Sequence, residues 1–185
     1  SPAAVPTISQ SSNNSAVFSD NNALNGGVIY RKYGQLTFDN NKLLNFQNNT
    51  ATNYGGAIYC ATNATLDVTD NEVAVFSGNS AGKYYGGAIY AQNSAAGTTL
   101  SHNGVLKITD NSAKQYGAAQ FGTVLFDNNT VLDVSRNSST SAGGAFYVGT
   151  QMTISNSQLV RFNENKAKST TSTQAGGAIE TGSSG

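Results

Sequence analysis

The side chains that could do acid–base or covalent chemistry are few: ten carboxylates, one histidine and one cysteine in 185 residues. A polysaccharide lyase or hydrolase needs two or three carboxylates that converge on a groove, and a calcium site needs several oxygen ligands together. Most acids that can be placed in the repeat described below lie opposite a base or an asparagine. The sequence therefore predicts no catalytic residue, no metal site and no cofactor.

Asp70 and His102 form the one candidate acid–base pair, because they occupy the same position in adjacent repeats. A hydrolytic dyad also needs a nucleophile, and none is apparent beside these two residues. We interpret the pair as a surface contact that needs no catalytic explanation.

Cys60 is the sole cysteine, so no disulfide can form within the chain. At its position the other repeats carry unlike side chains, which favours a small packing residue over a reactive thiol. A cross-link to another surface protein is the alternative. The residues aligned with Cys60 are Arg31, Ala91, Gly122 and Val148.

An internal repeat of paired asparagines predicts the strands and turns that position these residues. Apolar residues stand three and often five places before each asparagine, except at the degenerate Asn13. Such alternation is typical of a short, half-buried strand, and the asparagine is predicted to sit in a turn that tolerates a left-handed conformation. The pairs, each eight positions apart, are Asn13 and Asn21, Asn41 and Asn49, Asn71 and Asn79, Asn103 and Asn111, Asn129 and Asn137, and Ser157 and Asn165.

A glycine motif recurs once for each asparagine pair. Its spacing of about 30 residues is typical of solenoid proteins. One repeat is thus predicted to contain a glycine strand, a first asparagine strand and a second asparagine strand. The copies are Gly26-Gly27-Val28-Ile29-Tyr30, Gly55-Gly56-Ala57-Ile58-Tyr59, Gly86-Gly87-Ala88-Ile89-Tyr90, Gly117-Ala118-Ala119-Gln120-Phe121, Gly143-Gly144-Ala145-Phe146-Tyr147 and Gly176-Gly177-Ala178-Ile179-Glu180.

These repeats predict an all-β chain that forms a right-handed parallel β-helix of about six coils with three short strands each. A helical repeat is excluded, because the apolar residues alternate with period two. We expect one domain over residues 1–185, with an irregular lead-in at 1–15 and a flexible tail or cloning remnant at 181–185. Neither end has the character of a cap, so we expect a piece of a longer protein.

Stacked coils place residues with equal offsets above one another, and the charged residues allow this register to be checked. Two columns alternate in sign, as exposed vertical pairs should. Identical asparagines can likewise stack into two hydrogen-bonded ladders. The charged columns are Lys107, Asp133 and Arg161, and Asp110, Arg136 and Glu164.

The charge composition of the sequence argues against nucleic acid and anionic membranes as partners. The formal net charge is zero and only 11% of residues are charged. Lysines and arginines form no cluster along the chain, so neither nucleic acid nor an anionic membrane surface is an expected partner.

An aromatic stripe is the candidate binding feature. If Ile29, Ile58 and Ile89 point inward, alternation turns the following residue outward, where tyrosine suits protein or glycan recognition. The alternatives are a stacking ladder that stiffens one sheet, or the opposite parity with buried rings. The predicted stripe is Tyr30, Tyr59, Tyr90, Phe121 and Tyr147, with Tyr54, Tyr85 and Tyr116 just before the glycines.

Two interleaved motifs resemble those of the chlamydial polymorphic membrane proteins. A Phe-x-x-Asn tetrapeptide occurs at Phe18–Asn21, Phe38–Asn41, Phe46–Asn49, Phe76–Asn79, Phe126–Asn129 and Phe162–Asn165. Gly-Gly-Ala-Ile occurs at Gly55–Ile58, Gly86–Ile89 and Gly176–Ile179, with variants at Gly26–Ile29 and Gly143–Phe146. The fourth copy, at 117–120, and the first coil, where Gln10 stands at an apolar position, depart from the pattern.

This resemblance implies the passenger of an autotransporter, displayed on the bacterial outer membrane or released from it. Its expected role is an adhesin that binds a host cell-surface receptor, protein or glycan, with a C-terminal β-barrel translocator in the parent protein. The alternatives are a spacer or a stalk that self-associates through open coil ends, and, less favoured, a polysaccharide lyase or hydrolase.

Overall fold

The computed structural model describes residues 8–92, 97–168 and 176–182, and every helix or strand assigned in them is a β-strand. Twenty strands form three sheets in which all described pairings are parallel. The first sheet contains β1 (Ile8–Ser11), β4 (Ile29–Asp39), β7 (Ile58–Thr69), β10 (Ile89–Ala91), β11 (Thr98–Ser101), β14 (Ala119–Asp127), β17 (Phe146–Ser155) and β20 (Ile179–Thr181).

The other two sheets have six strands each. The second sheet contains β2 (Ala16–Ser19), β5 (Leu43–Gln47), β8 (Val73–Ser77), β12 (Val105–Thr109), β15 (Val131–Ser135) and β18 (Leu159–Asn163). The third sheet contains β3 (Asn22–Asn25), β6 (Thr50–Tyr54), β9 (Ser80–Tyr85), β13 (Ser112–Gln115), β16 (Ser138–Ser139) and β19 (Lys166–Ala167).

Each strand pairs with its equivalent one coil later, so the chain forms a β-solenoid of about six turns. Successive residues of the first asparagine ladder are separated by 28, 30, 32, 26 and 28 positions. The parallel β-helix architecture predicted from the repeat is therefore confirmed.

The Phe-x-x-Asn phenylalanines fill the interior between the sheets. Phe38, Phe46, Phe76 and Phe126 are at most 1% exposed, and their rings belong to one continuous core cluster. The rings of Phe18, Phe46 and Phe76 stack along the axis with centroids 4.8 and 4.9 Å apart, the distance between adjacent strands. Alternation turns these side chains inward, so the apolar positions of the repeat form the core.

Two buried asparagine ladders join the coils. In the second ladder, Asn79 donates its backbone N–H and its amide Nδ2 to Oδ1 of Asn111, at 2.9 and 3.0 Å. The same Nδ2 donates to the Phe46 carbonyl of the preceding coil at 2.9 Å, which explains the spacing of the tetrapeptide. The first ladder is Asn13, Asn41, Asn71, Asn103, Asn129 and Ser157, and the second is Asn21, Asn49, Asn79, Asn111, Asn137 and Asn165.

The turn conformation predicted for these asparagines was assigned one residue too late. The left-handed residue is the one directly before each ladder position, with φ between 52° and 66°. The ladder asparagine needs ordinary φ to aim its amide along the axis. The left-handed residues are Ser12, Asp20, Asn40, Asn48, Asp70, Gly78, His102, Asp110, Asn128, Arg136, Asn156 and Glu164.

Both glycines of the second motif have a physical requirement. The first one adopts positive φ at Gly26, Gly55, Gly86 and Gly143, for example 68° at Gly86. The second lies against the backbone of its own coil and of the next one. A Cβ on Gly87 would lie 2.3 Å from the Gly117 carbonyl oxygen and 2.5 Å from that of Ser112. The glycine turn therefore connects a strand of the third sheet to the next strand of the first sheet. The alanine and isoleucine that follow the glycines enter the core.

The division of a coil into three strands differs from the prediction. The glycine strand and the first asparagine strand run together as one long strand in β4, β7, β14 and β17, with a register shift between them in the β4–β7 and β14–β17 pairs. The third strand follows the second asparagine, where the short polar segments show no alternation. Ile8–Ser11, predicted to lie in an irregular lead-in, pairs with β4, and Thr181 ends β20. Residues 1–7 and 183–185 lie outside the described ranges.

The predicted charge columns are confirmed. Lys107 pairs in register with Asp133, and Asp133 with Arg161, whose Nη2 lies 3.0 Å from the Asp133 carboxylate. In the other column, Arg136 contacts Asp110 at 2.7 Å. That hydrogen bond lowers the pKa of the Asp110 carboxyl.

Candidate functional site

The outer surface where the third sheet meets the glycine strands carries a group of tyrosines that we call the tyrosine cluster. Half of its residues follow the glycine motif, and alternation turns them outward from the buried Ile58 and Ile89. The other half come from the ends of third-sheet strands, directly before the glycine turn or within it. The cluster is Tyr30, Tyr54, Tyr59, Tyr84, Tyr85, Tyr90, Tyr116 and Tyr147, eight of the nine tyrosines.

Ring contacts connect the whole cluster. Along the glycine strands, Tyr59 lies 4.9 Å from both Tyr30 and Tyr90, measured between centroids. Tyr54 stacks on Tyr90 at 5.0 Å and so joins the two halves. At the far end the chain of contacts runs from Tyr85 through Tyr116 to Tyr147, with centroids 5.1 and 4.2 Å apart. The predicted outward parity and the stacking ladder, treated as alternatives, are therefore both present.

Exposure varies within the cluster. Tyr30 is 51% exposed and Tyr84 is 41% exposed, whereas Tyr90 is only 6% exposed because neighbouring rings cover it. Burial, with smaller contributions from other tyrosines, raises the pKa of Tyr54, Tyr59 and Tyr90. At pH 7 the cluster is thus an uncharged aromatic surface with phenolic hydroxyls as its polar groups.

Phe121, predicted to lie in the stripe, is buried in the core with no exposed surface. In the fourth copy of the glycine motif, the position of the first glycine is held by Tyr116, and Gly117 takes the position of the second glycine. Tyr116 takes the left-handed position, at φ 58°, that glycine holds in other coils. Gln120 then pairs with Tyr90 and Tyr147, and Phe121 pairs inward with Ala91.

That shift also corrects the column of Cys60. Its equivalents are Arg31, Ala91, Phe121 and Val148, with Phe121 in place of Gly122. The Cys60 thiol is fully buried, and burial raises its pKa to about 12. A thiol so buried and so weakly acidic is a packing residue, not a cross-linking site.

Tyr84 was missed by sequence reasoning. It belongs to a third-sheet strand that carries no periodic signal, and its ring stacks on Tyr54 at 4.9 Å. The available signal was the Tyr84-Tyr85 pair, because adjacent strand residues face opposite ways unless a bulge intervenes. A register shift does occur in the pairing of β9 with β13, between Ala113 and Gln115.

The two acid–base candidates, Asp70 and His102, are not bonded to each other. Asp70 and His102 share a register position, as predicted, but no hydrogen bond or ion pair joins their side chains. The pKa of the Asp127 carboxyl is lowered, mainly by hydrogen bonds from Ser155 and Asn156. The nearby His102 makes a smaller contribution to the same shift. Across residues 8–92, 97–168 and 176–182, no three His, Cys, Asp or Glu side chains are grouped as metal ligands. The same residues include no helix long and apolar enough to cross a membrane.

Comparison with known proteins finds that a family model, the Chlamydia polymorphic membrane protein repeat, matches the chain. It matches residues 43–61 and 74–92. Each match contains one Phe-x-x-Asn tetrapeptide and one Gly-Gly-Ala-Ile motif, so it spans the second ladder, the third sheet and the glycine turn. No solved structure matches the chain.

Two curated relatives are similar to the chain. Probable outer membrane protein pmp20 of Chlamydia pneumoniae is 35% identical over 157 residues, which cover 77% of this chain and 9% of the relative. Probable outer membrane protein pmp7 of the same organism is 34% identical over 114 residues, covering 58% of this chain and 12% of the relative. The chain thus spans about a tenth of the length of these relatives. Its repeats and both similarities place it in the chlamydial polymorphic membrane protein family, as a surface segment of an outer membrane protein.

Proposed function

We propose that this β-solenoid is an adhesive passenger segment and that the tyrosine cluster is its contact surface for a host cell-surface receptor, protein or glycan. The observation that supports this most is the concentration of eight tyrosines on one outer surface of a chain with only 9% aromatic residues. Tyrosine is enriched at binding surfaces because it combines a large apolar area with a polar hydroxyl.

The scaffold makes such a surface efficient for binding. Each ring is held by stacking on its neighbours, and the strands beneath are joined by the buried asparagine ladders. Little conformational entropy remains to be lost when a partner binds. Tyr30 and Tyr84, the most exposed rings, are the expected first contacts.

The stacking also favours a second candidate, a structural spacer. Rings that contact one another along the axis stiffen the rod without any partner, and the same rod could self-associate through open coil ends. In either case we propose that the chain is not an enzyme, and that a C-terminal β-barrel translocator is its partner in the parent protein. Release of the passenger from the surface belongs to the same proposal.

A bead-attachment assay tests the adhesive proposal. Beads coated with the 185-residue chain are expected to attach to epithelial cells, and the double variant Tyr30→Ser, Tyr84→Ser is expected to lower attachment about tenfold. The matched control is Tyr33→Ser. Tyr33 is 49% exposed and lies outside the cluster, with the Lys32 ammonium 5.2 Å from its ring centroid.

Three outcomes are distinguishable. Loss of attachment in the cluster variant alone supports the contact surface. Equal attachment of the cluster variant and the control removes the tyrosine cluster from the proposal. Absence of attachment by the unmodified chain favours the spacer.

A further inference from the structure

Charge is distributed unevenly between the three sheets. The third-sheet strands contain Lys83, Lys114 and Lys166, and Lys168 directly follows the last of these strands. None of the six third-sheet strands contains Asp or Glu. The lysines are scattered along the sequence, which is why no cluster was visible there, but stacking of the coils places them on one sheet. A chain of zero net charge therefore has one basic face.

A groove of about 710 Å³ lies on this sheet and opens to solvent. Four successive coils line it with small residues, hydroxyls and lysines, so that the groove runs along the rod axis. Equivalent positions recur at the strand spacing of about 4.8 Å, so the hydroxyls of Ser80, Ser112 and Ser138 repeat along the groove. The lining lysines, Lys114 and Lys168, lie in coils that are separated by one intervening coil. Its polar side chains include Ser80, Ser112, Ser138, Thr140, Lys114 and Lys168.

The lysine side chains of this face are available to a ligand. Among the described residues the ion pairs are Arg136 with Asp110 and Arg161 with Asp133, and neither involves a third-sheet lysine. Lys83, Lys114, Lys166 and Lys168 are all exposed, and no carboxylate within the described part of the chain neutralises them. The groove thus presents positive charge without an internal counterion.

We propose that this groove binds an acidic polysaccharide chain laid along the rod axis. The lysine ammoniums would contact the sulfate or carboxylate groups, and the serine hydroxyls would exchange hydrogen bonds with sugar hydroxyls. An extended polymer suits a site whose donors repeat at a constant interval over several coils.

The arrangement fits other anionic partners less well. Insertion into a membrane surface would call for apolar side chains at the rim, and the groove lining offers only alanine and glycine as apolar residues. Nucleic-acid binders carry larger basic surfaces, whereas the strands of this sheet contain three lysines and no arginine, with Lys168 directly after the last strand. The site is distinct from the tyrosine contact surface, and its binding can be measured whether or not the chain attaches to cells.

A binding titration with fluorescently labelled short-chain dextran sulfate tests the proposal, with unsulfated dextran as the uncharged probe. The unmodified chain is expected to bind dextran sulfate, more weakly as salt rises, and to bind unsulfated dextran at least tenfold less tightly. The variant Lys114→Gln, Lys168→Gln is expected to lose affinity roughly tenfold to thirtyfold. The charge-matched control is Lys32→Gln, Lys42→Gln, two exposed lysines outside the third sheet.

Circular dichroism of all variants verifies that the solenoid is intact. Equal losses in the groove variant and the control would mean that only net charge matters, which overturns the site. Equal binding of dextran and dextran sulfate would overturn its charge basis. Binding to phosphatidylserine vesicles with the same lysine dependence, but not to dextran sulfate, would assign the basic face to a membrane instead. Retention of dextran sulfate binding by the Tyr30→Ser, Tyr84→Ser variant would separate this site from the cell-attachment proposal.

Discussion

The second asparagine ladder and the tyrosine cluster are both columns of identical side chains, but they differ in burial and in hydrogen bonding. Asn79 is fully buried, and its amide is bonded to the coils on both sides. In the tyrosine cluster, Tyr30 is half exposed. The hydroxyl of the adjacent Tyr59 makes only a long hydrogen bond, to Oε1 of Gln92 at 3.4 Å. Both regions therefore repeat one side chain from coil to coil, but only the asparagine amides have all their hydrogen-bond partners inside the fold.

This difference separates residues that hold the coils together from residues that are free to bind. A buried amide with every partner inside the fold has nothing left to offer a ligand, and its loss leaves buried polar groups unpaired. A stacked surface ring retains an exposed face and a hydroxyl. The motif residues most repeated in the sequence are thus structural, and the less regular tyrosines are the candidates for recognition.

The largest expected effect that tests this contrast is on stability. Asn79→Ala should lower the free energy of unfolding by about 3–5 kcal/mol, because the Asn49 backbone N–H, its amide and the Phe46 carbonyl all lose their partner. Urea denaturation followed by circular dichroism measures the change. Asn63→Ala, at an exposed position in β7, is the control and should change stability by no more than about 0.5 kcal/mol. Similar shifts for both variants would contradict the structural role of the ladder.

A smaller effect is expected at the glycine turn, which connects the ladder to the tyrosine cluster. Gly87→Ala should cost about 1–3 kcal/mol, because its Cβ would overlap the Gly117 carbonyl oxygen of the next coil at 2.3 Å. Thermal unfolding measures this cost. The matched variant is Gly82→Ala, whose Cβ would meet no atom closer than the Thr52 carbonyl oxygen at 3.5 Å. A melting temperature lowered equally by both substitutions would argue against tight backbone contact at the motif.

The smallest expected effect concerns the tyrosine cluster at alkaline pH. Burial raises the pKa of Tyr116 to about 12, and that of Tyr90 is raised as well, from the ordinary value of 10.0. A raised pKa means that the folded state favours the neutral phenol, so this stabilisation is complete below pH 10 and is lost as pH rises towards 12. Unfolding free energies measured between pH 9 and pH 12 should therefore fall.

The control for this titration removes the phenolic protons and keeps the rings. Tyr90→Phe, Tyr116→Phe should flatten the fall in stability above pH 10, while other alkaline effects, such as lysine deprotonation, remain. Absorbance at 295 nm should show fewer late-titrating phenolates in the double variant than in the unmodified chain, because Tyr54 and Tyr59, whose pKa values burial also raises, remain in both. A pH profile unchanged by the double substitution would mean that the rings are not shielded as the structure indicates.

Much of the fold could be predicted because the asparagines and phenylalanines repeat at fixed offsets. In a parallel solenoid, residues with equal offsets must lie above one another, so Lys107, Asp133 and Arg161 could be placed together before any coordinates were known. The third sheet could not be predicted, because Ser112–Gln115 and its equivalents are short and polar and lack alternation. Their strand character comes from hydrogen bonds to the adjacent coils.

The candidate site was predicted in part. Tyr30, Tyr59, Tyr90 and Tyr147 lie on the surface side of their strands, as expected from alternation. Phe121 was placed with them wrongly, since a shift of one residue in a strand reverses the direction of a side chain. The visible glycine at 117 suggested one register, and only the stacking of Tyr116 on its neighbours reveals the other.

The sequence by itself determined the coil, its length and its core, because these depend on periodic positions that any parallel stack must superimpose. The tertiary structure alone decided which residues outside the periodic positions share a surface across coils. The tyrosine cluster and the basic groove both arise from residues about 30 positions apart, from strands without a periodic signal and from bulges that shift the register. Such contacts depend on how far each coil is offset from the next, and that offset is set by backbone packing at the glycine turns.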